Sequence, residues 1–220
     1  MLKKIINMLM IWLCKLVSGK KLKTMIYLMG KQGIGKSSVI KLFIKVLGLQ
    51  TCVILNNEDC FTGQFNGPLL AKALVLLDEI CHNFNDFNGL YNKIKPYITE
   101  DHISYRNLYE KLKTLKNLSS FIMSGNHPML KLEDESKGTD RRLKVDDCDN
   151  VLKDAEYYEK LKLYTDNNED VEYAMYWYCI DNHNKDFNEL SELKKLPMTE
   201  TKKQMVRQAL ITATIFLKIF

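Results

Sequence analysis

The chain has 220 residues, 46% hydrophobic and 27% charged, an ordinary globular balance that lets it bury a core without disulfide or metal staples. Its net charge of +5 permits binding to a polyanion but does not by itself indicate it. The six cysteines form no C-x-x-C pair and no zinc-finger spacing, so we expect reduced thiols in a cytosol-like compartment and not a secreted protein.

The N-terminal segment, residues 1–17, is apolar and its only charged residues are lysines. A signal peptide is the alternative interpretation, but Asn7 interrupts the run and no small-residue cleavage site follows. The run is also too short to span a bilayer, so we expect no membrane partner. We predict an N-terminal helix, residues 1–22, that packs on the rest of the chain. Its apolar face consists of Leu2, Ile5, Ile6, Leu9, Leu13 and Leu16.

Apolar runs alternate with segments of helical periodicity through the next part of the chain. The runs predict buried strands, the last of them at a sheet edge, at residues 23–29, 51–55, 73–77, 119–123 and 142–145. The helical segments between them are residues 38–47 and 87–97. This alternation predicts an α/β fold with a parallel sheet covered on both faces. Three further helical segments follow at residues 151–164, 171–184 and 199–220, so we predict an α/β core at 23–150 and a C-terminal helical region at 151–220.

Residues 30–37, GKQGIGKS, match the phosphate-binding pattern G-x-x-x-x-G-K-[ST] between a predicted strand and a predicted helix. The glycines let the backbone N–H groups turn toward phosphate oxygens. Lys36 is expected to reach the β- and γ-phosphates of ATP, and Ser37 to place its hydroxyl on Mg²⁺. The predicted nucleotide-binding residues are Gly30, Lys31, Gln32, Gly33, Ile34, Gly35, Lys36, Ser37 and Ser38.

An apolar strand ending in two carboxylates, ALVLLDE at residues 73–79, predicts the metal and the base of the same site. Asp78 is expected to hold Mg²⁺, and Glu79 to accept the proton of the attacking water. A glutamate beside the metal aspartate distinguishes this pattern from P-loop kinases and GTPases. The alternative is a strand that simply ends at an acidic loop.

Polar residues also follow the next predicted strand. Asn126 is expected to contact the γ-phosphate and orient water; alternatively it belongs to the turn before His127 and Pro128. Arg141 and Arg142 come next, and either is a candidate arginine finger on a neighbouring subunit's ATP, with Arg141 favoured. A finger acting between subunits implies a ring. The alternative is a solvated run of charge.

The motifs described above resemble, in this order, those of superfamily 3 helicases. The resemblance includes residues 93–111 (KIKPYITEDHISYRNLYEK), which lie between the acidic pair Asp78–Glu79 and the strand that precedes Asn126, called the sensor strand below. The segments FTGQFN, residues 61–66, and PMTE, residues 197–200, resemble parts of primase-helicases from large DNA viruses, virophages and phages. The resemblance is close over residues 23–146 and loose in the tail. It implies an AAA+-like P-loop NTPase that assembles as a hexamer and translocates on single-stranded DNA during viral replication in an infected host.

The resemblance also implies a DNA-gripping β-hairpin within residues 93–118. Its candidate DNA-binding cations are Arg106, Lys111, Lys113 and Lys116. Basic side chains of this kind hold phosphates without reading sequence, and Tyr105 or Tyr109 is expected to stack on bases. The alternative is an amphipathic helix with exposed lysines.

Members of that group carry a helical collar, and often a primase domain, before the phosphate loop, whereas only residues 1–29 precede Gly30 here. We therefore expect a fragment, a split gene whose primase is a partner, or a minimal motor. The main alternative function is an AAA+-like loader or initiator switch that does not unwind DNA. It is disfavoured because Arg207 is the only arginine after Arg142, and that class uses a second sensor arginine. A nucleotide kinase and a degenerate, non-enzymatic binding protein are further alternatives.

Overall fold

A parallel five-stranded sheet forms the centre of the computed structural model, which describes residues 2–80, 84–126, 142–148, 154–166 and 169–182. The strands are β1 (Met25–Met29), β2 (Cys52–Leu55), β3 (Leu74–Asp78), β4 (His102–Tyr105), β5 (Lys113–Lys116), β6 (Ser120–Gly125) and β7 (Leu143–Asp147). The central sheet has the order β2-β3-β6-β1-β7, and β4 and β5 form a separate antiparallel hairpin. Strand β6 therefore lies between the strands that precede the phosphate loop and the acidic pair.

Helices cover both faces of the sheet. They are α1 (Leu2–Val17), α2 (Lys36–Leu47), α3 (Asp59–Thr62), α4 (Phe84–Thr99), α5 (Ala155–Asp166) and α6 (Glu169–Asn182), with short 3-10 turns at Leu49–Thr51 and Gly67–Leu69. Helices α1, α2 and α6 share one hydrophobic cluster with the sheet, in which Trp12 stacks on Phe43 at 6.4 Å between ring centroids. Helices α3 and α4 share the opposite cluster. Burial of both faces explains why the central strands are continuous apolar runs.

The predicted α/β fold is confirmed, with a parallel sheet, flanking helices and C-terminal helices α5 and α6. The predicted strand at residues 142–145 is β7, which lies at a sheet edge as expected. Helix α4 is longer than the predicted segment and contains Pro96. The predicted helix at residues 199–220 lies outside the described residues, as does the PMTE segment. No helix among the described residues is long and apolar enough to cross a bilayer.

The segment before the sensor strand is a β-hairpin, so the amphipathic-helix alternative is wrong for residues 102–116. Helix α4 ends just before it, and the carbonyls of Tyr97 and Glu100 accept hydrogen bonds from the Asn117 side chain at 2.7 and 2.9 Å. Tyr109 has a φ of 62°, which reverses the chain between β4 and β5. The Asn117 side chain thus satisfies backbone carbonyl groups at the end of the helix, and the residues that follow pair as strands.

Candidate functional site

The carboxyl ends of the central strands form one edge of the sheet, and the predicted site residues follow three of these strands. Gly30 begins the loop after β1, and its N–H donates to the Gly125 carbonyl at the end of β6 at 3.2 Å. Glu79 follows β3, and its N–H donates to the Ser124 carbonyl at 3.4 Å. Loops after neighbouring parallel strands converge at this edge, where open α/β sheets bind their ligands.

The loop between β1 and α2 turns through two glycines in the left-handed region. Gly33 and Gly35 have φ of 84° and 96°, conformations that strain any other residue. The Gly35 carbonyl accepts the N–H groups of Ser38 and Val39 at 3.1 and 3.2 Å, and no side chain caps the helix. The first N–H groups of α2 and the positive end of its dipole therefore favour an anion here. The exposed members of the predicted nucleotide-binding set are Lys31, Gln32, Gly33 and Ser37.

Three predicted catalytic side chains from three different elements lie in one hydrogen-bonded series. The Lys36 ammonium, in the first turn of α2, donates to Asn126 Oδ1 at 2.9 Å. Asn126 Nδ2 donates to Glu79 Oε1 at 3.0 Å. The Lys36 ammonium also donates to the carbonyls of Gly30 and Lys31, the latter at 3.0 Å. Asn126 joins the cation to the carboxylate because β6 separates β1 from β3.

Asp78 has a partner that sequence reasoning missed. Ser124, which is paired with Asp78 in the β3–β6 register, donates its hydroxyl to Asp78 Oδ1. Ser124 is buried. A serine that directly follows the apolar run of β6, two residues before Asn126, was the available signal, since a buried hydroxyl needs a partner. Lys36, Asp78, Glu79, Ser124 and Asn126 are called the carboxyl-edge site below.

The backbone at Glu79 is strained. Its φ of 48° lies in the left-handed region, which a glutamate rarely adopts. Strain of this kind costs on the order of 1–3 kcal/mol and persists only where the surroundings enforce it. The conformation turns Glu79 out of the line of β3 so that its side chain meets Asn126.

Burial of the Lys36 side chain lowers the pKa of its ammonium group from the ordinary value. Electrostatic interaction with the neighbouring Cys148, Glu79 and Asp78 side chains opposes this shift and raises the pKa of Lys36. Cys148 lies at the same edge, since its backbone N–H donates to the Met29 carbonyl at 2.8 Å. A partly desolvated cation beside a helix N-terminus interacts strongly with an anion that enters the site.

The donor set at this edge fits magnesium. The Asp78 carboxylate and the exposed Ser37 hydroxyl are hard oxygen ligands, and Ser124 already orients one Asp78 oxygen. Among the described residues, no group of three or more His, Cys, Asp or Glu side chains is placed to hold a metal. The few protein oxygens suit Mg²⁺, which keeps waters and takes the remaining ligands from substrate phosphates.

Of the two candidate finger arginines, Arg142 does not join the carboxyl-edge site of its own chain. Arg142 directly precedes β7, and its carbonyl accepts the N–H of Met25 at 2.6 Å. This contact is at the amino ends of β7 and β1, so Arg142 lies at the sheet edge opposite the phosphate loop. Arg141 lies outside the described residues.

Side chains along the two strands of the hairpin point alternately to its two sides, so Lys113 and Lys116 lie on opposite sides. His102 is opposite Lys116, and both are exposed on the side facing away from the core. Lys113 is opposite Tyr105 on the other side, and its ammonium pairs with Glu110 at 2.9 Å. Tyr105 is buried, so of the two tyrosines predicted as alternatives for stacking on bases only Tyr109 presents its ring to solvent.

The turn of the hairpin presents its remaining candidates to solvent. Tyr109 is 98% exposed, and Leu108 and Leu112 beside it are also largely exposed. Lys111 is exposed in the same turn. Arg106 is also exposed, and its guanidinium lies 5.8 Å from the centroid of the Phe65 ring.

Comparison with known proteins relates the chain to a phage replication protein. The model of a family of unknown function, DUF5906, matches residues 28–142. The DNA primase-polymerase of Nitratiruptor phage NrS-1 is 29% identical over 184 residues, or 82% of this chain and 25% of that protein. The chain thus spans about a quarter of the length of this relative.

Two solved structures share the fold. An apo structure of the NrS-1 C-terminal region superposes with a TM-score of 0.73 at 24% identity, covering 94% of this chain and 48% of that one. A second apo structure of the region, the A form, gives a TM-score of 0.73 at 24% identity over 94% and 47%. At this level of identity the similarity shows the fold alone.

Proposed function

The chain belongs to DUF5906, a family of unknown function, and on this premise we propose that its carboxyl-edge site is a P-loop site that hydrolyses ATP with Mg²⁺. The reaction would move the protein along single-stranded DNA, as in superfamily 3 helicases. The observation that carries the proposal is the series Lys36–Asn126–Glu79 beside the N-terminus of α2. It combines a phosphate-binding cation, a polar sensor and a carboxylate base within hydrogen-bonding distance of one another.

Each residue has a role that follows from its contacts. The loop N–H groups and Lys36 bind the phosphates, and Lys36 exchanges its bonds to loop carbonyls for bonds to phosphate oxygens. Ser37 and Asp78 would hold Mg²⁺, which neutralises phosphate charge. Asn126 holds one Glu79 oxygen, so the other oxygen is directed to accept a proton from water.

The DNA half of the proposal concerns the hairpin. Its turn combines an exposed aromatic ring, Tyr109, with the cation Lys111, and Lys116 is exposed farther along β5. Such surfaces bind single strands by stacking and by phosphate contacts that do not depend on sequence. The similarity to the NrS-1 DNA primase-polymerase supports a role in viral DNA replication inside the infected cell.

The proposed assembly is a homo-oligomeric ring, a hexamer in the superfamily 3 pattern. Arg142 is at the edge of the sheet opposite its own phosphate loop, so it would complete the site only in a neighbouring subunit; Arg141 is the other candidate. A primase activity would come from another domain or a partner chain, since the chain covers 25% of its relative.

The test is ATP hydrolysis with and without single-stranded DNA, comparing the wild type with Lys36→Ala. Lys41→Ala is the matched control, because Lys41 is an exposed lysine on the same helix outside the site. We expect DNA-stimulated hydrolysis that Lys36→Ala abolishes and Lys41→Ala retains. Hydrolysis indifferent to DNA would favour the loader or initiator switch instead, and hydrolysis by Lys36→Ala at the wild-type rate would refute the assignment of the site.

A further inference from the structure

We propose that Asn66 is a positioning residue that fixes the distal half of the β4–β5 hairpin to the core. The inference rests on the proposed function, because it assigns to Asn66 the coupling between DNA at the hairpin turn and the carboxyl-edge site. Asn66 lies in the segment Phe65–Gly67, called the hairpin cradle below.

Asn66 hydrogen-bonds to the hairpin through its backbone N–H and its side-chain amide, and the amide also contacts Tyr97 of α4. Its backbone N–H donates to the Arg106 carbonyl at 3.2 Å, and its Oδ1 accepts the Arg106 N–H at 2.8 Å. Its Nδ2 donates to the Ser104 carbonyl at 3.0 Å and to the Tyr97 hydroxyl at 2.9 Å. The amide thus serves as a strand partner for the end of β4, with both its donors and its acceptor engaged.

The rest of the cradle approaches the hairpin equally closely. A side chain at Gly67 would collide with Asn107, since an added Cβ would lie 1.4 Å from Asn107 Oδ1. On the other side of Asn66, the Phe65 ring lies below the Arg106 guanidinium. This contact assigns Arg106 to holding the hairpin rather than to its exposed turn.

The base of the hairpin has a separate anchor. The buried Asn117 donates its backbone N–H to the Asp101 carbonyl at 2.8 Å and its side-chain amide to the end of α4. Loss of the Asn66 contacts should therefore loosen the part of the hairpin beyond Ser104 and leave the base in place.

A contiguous set of packed rings leads from the cradle to the strand that carries the sensor. Tyr97, which accepts a hydrogen bond from Asn66, meets Phe61 edge-on at 5.4 Å between ring centroids. Phe61 in turn lies 6.3 Å from Phe121 of β6. Strand β6 carries Ser124 of the carboxyl-edge site, and Asn126 follows its last residue. Rigid packed elements of this kind can transmit a shift between sites, and coupling measurements decide whether they do.

The experiment combines amide hydrogen exchange with ATP turnover in Asn66→Ala and in Tyr97→Phe. Gln64→Ala is the matched control, because Gln64 is an exposed amide residue that directly precedes the hairpin cradle. We expect exchange of the Arg106 to Leu112 amides to accelerate roughly five- to tenfold in Asn66→Ala and less in Tyr97→Phe, which removes one bond. Basal hydrolysis should stay within about twofold of wild type while stimulation by DNA falls, because only hairpin positioning is lost.

Three outcomes would overturn the inference: unchanged hairpin exchange in Asn66→Ala, faster exchange throughout the central sheet, or DNA stimulation equal to that of Gln64→Ala. The exchange measurement requires neither ATP nor DNA. A wild-type protein that is inactive toward ATP and DNA would refute the proposed function and with it the coupling role. Local loosening of the hairpin would then still assign Asn66 as its positioning residue.

Discussion

The carboxyl-edge site depends on two residues whose positions are enforced by their neighbours. Glu79 has strained backbone and is held by Asn126, and Asp78 is held by a buried serine. These contacts fix the two carboxylates in different environments although they are adjacent in the chain. Ser124 of β6 orients Asp78, and Asn126, just after β6, orients Glu79. We therefore expect the two adjacent carboxylates to have different roles.

Replacing Glu79 by glutamine tests the base directly. The amide is isosteric and its oxygen can still accept from Asn126, so nucleotide binding should be retained. We expect the single-turnover rate of ATP hydrolysis to fall about 10²- to 10⁴-fold, because an amide cannot accept the proton of water. Binding of a fluorescent ATP analogue measures the retained affinity. Hydrolysis at the wild-type rate would show that another group is the base.

At the scale of single elements, the hairpin separates structural from exposed candidates. Tyr105 is buried and the exposed Arg106 lies over the Phe65 ring, whereas Tyr109 and Lys111 are exposed in the turn. Alternation along β4 places Tyr105 on the buried side, since successive side chains point to opposite sides, and Tyr109 and Lys111 lie in the loop beyond the strands. The turn therefore offers an exposed aromatic ring and an exposed cation to a ligand.

Substituting alanine for Tyr109 tests stacking at that turn. The expected result is about tenfold or greater loss of affinity for labelled oligothymidylate, because stacking of one base contributes on the order of 1–3 kcal/mol. The thermal midpoint should not change, since the ring is 98% exposed. Fluorescence anisotropy at fixed salt measures the affinity, with Tyr157→Ala, an exposed tyrosine on α5, as the control. Equal affinity of both variants would contradict a stacking role.

At the scale of the whole molecule, the two helical layers are joined at the amino edge of the sheet. Lys21, between α1 and β1, donates to the carbonyls of Tyr97 and Glu100 at the end of α4, at 2.7 and 2.8 Å. Burial is the main cause that lowers the pKa of Lys21 to about 8. The folded state therefore holds this proton less tightly than the unfolded chain does.

The free energy of unfolding should consequently increase with pH between the pKa of Lys21 in the folded protein and its pKa in the unfolded chain. Between about pH 8 and pH 10.5 the unfolded chain keeps the proton that the folded protein has released, so folding gains stability as pH increases. Relative to Lys21→Met, the wild-type free energy of unfolding should increase by roughly 1 kcal/mol across this window, after discounting for solvent screening. Urea unfolding at pH 7, about 9 and about 10.5 measures it. If the difference in free energy of unfolding between wild type and Lys21→Met does not change with pH, the lowered pKa of Lys21 is contradicted.

Much of the fold and the membership of the site could be predicted from local patterns. Continuous apolar runs predicted the central strands, and the placement of Asp78 and Glu79 after a strand predicted their edge. The helix after the glycine-lysine loop was predicted from residue 38, and α2 begins two residues earlier, at Lys36. These features depend on residues close together in the chain, where periodicity and turn chemistry act directly. Sequence alone therefore determined the fold class and which residues are candidates for ATP and Mg²⁺ binding.

Only the tertiary structure decided which of these residues meet. The insertion of β6 between β1 and β3 puts Asn126 between Lys36 and Glu79 and puts Ser124 on Asp78. The attachment of the hairpin to Asn66 likewise joins segments far apart in the chain. Strand order and hairpin packing depend on the burial of whole faces, and no local pattern along one strand specifies its neighbours.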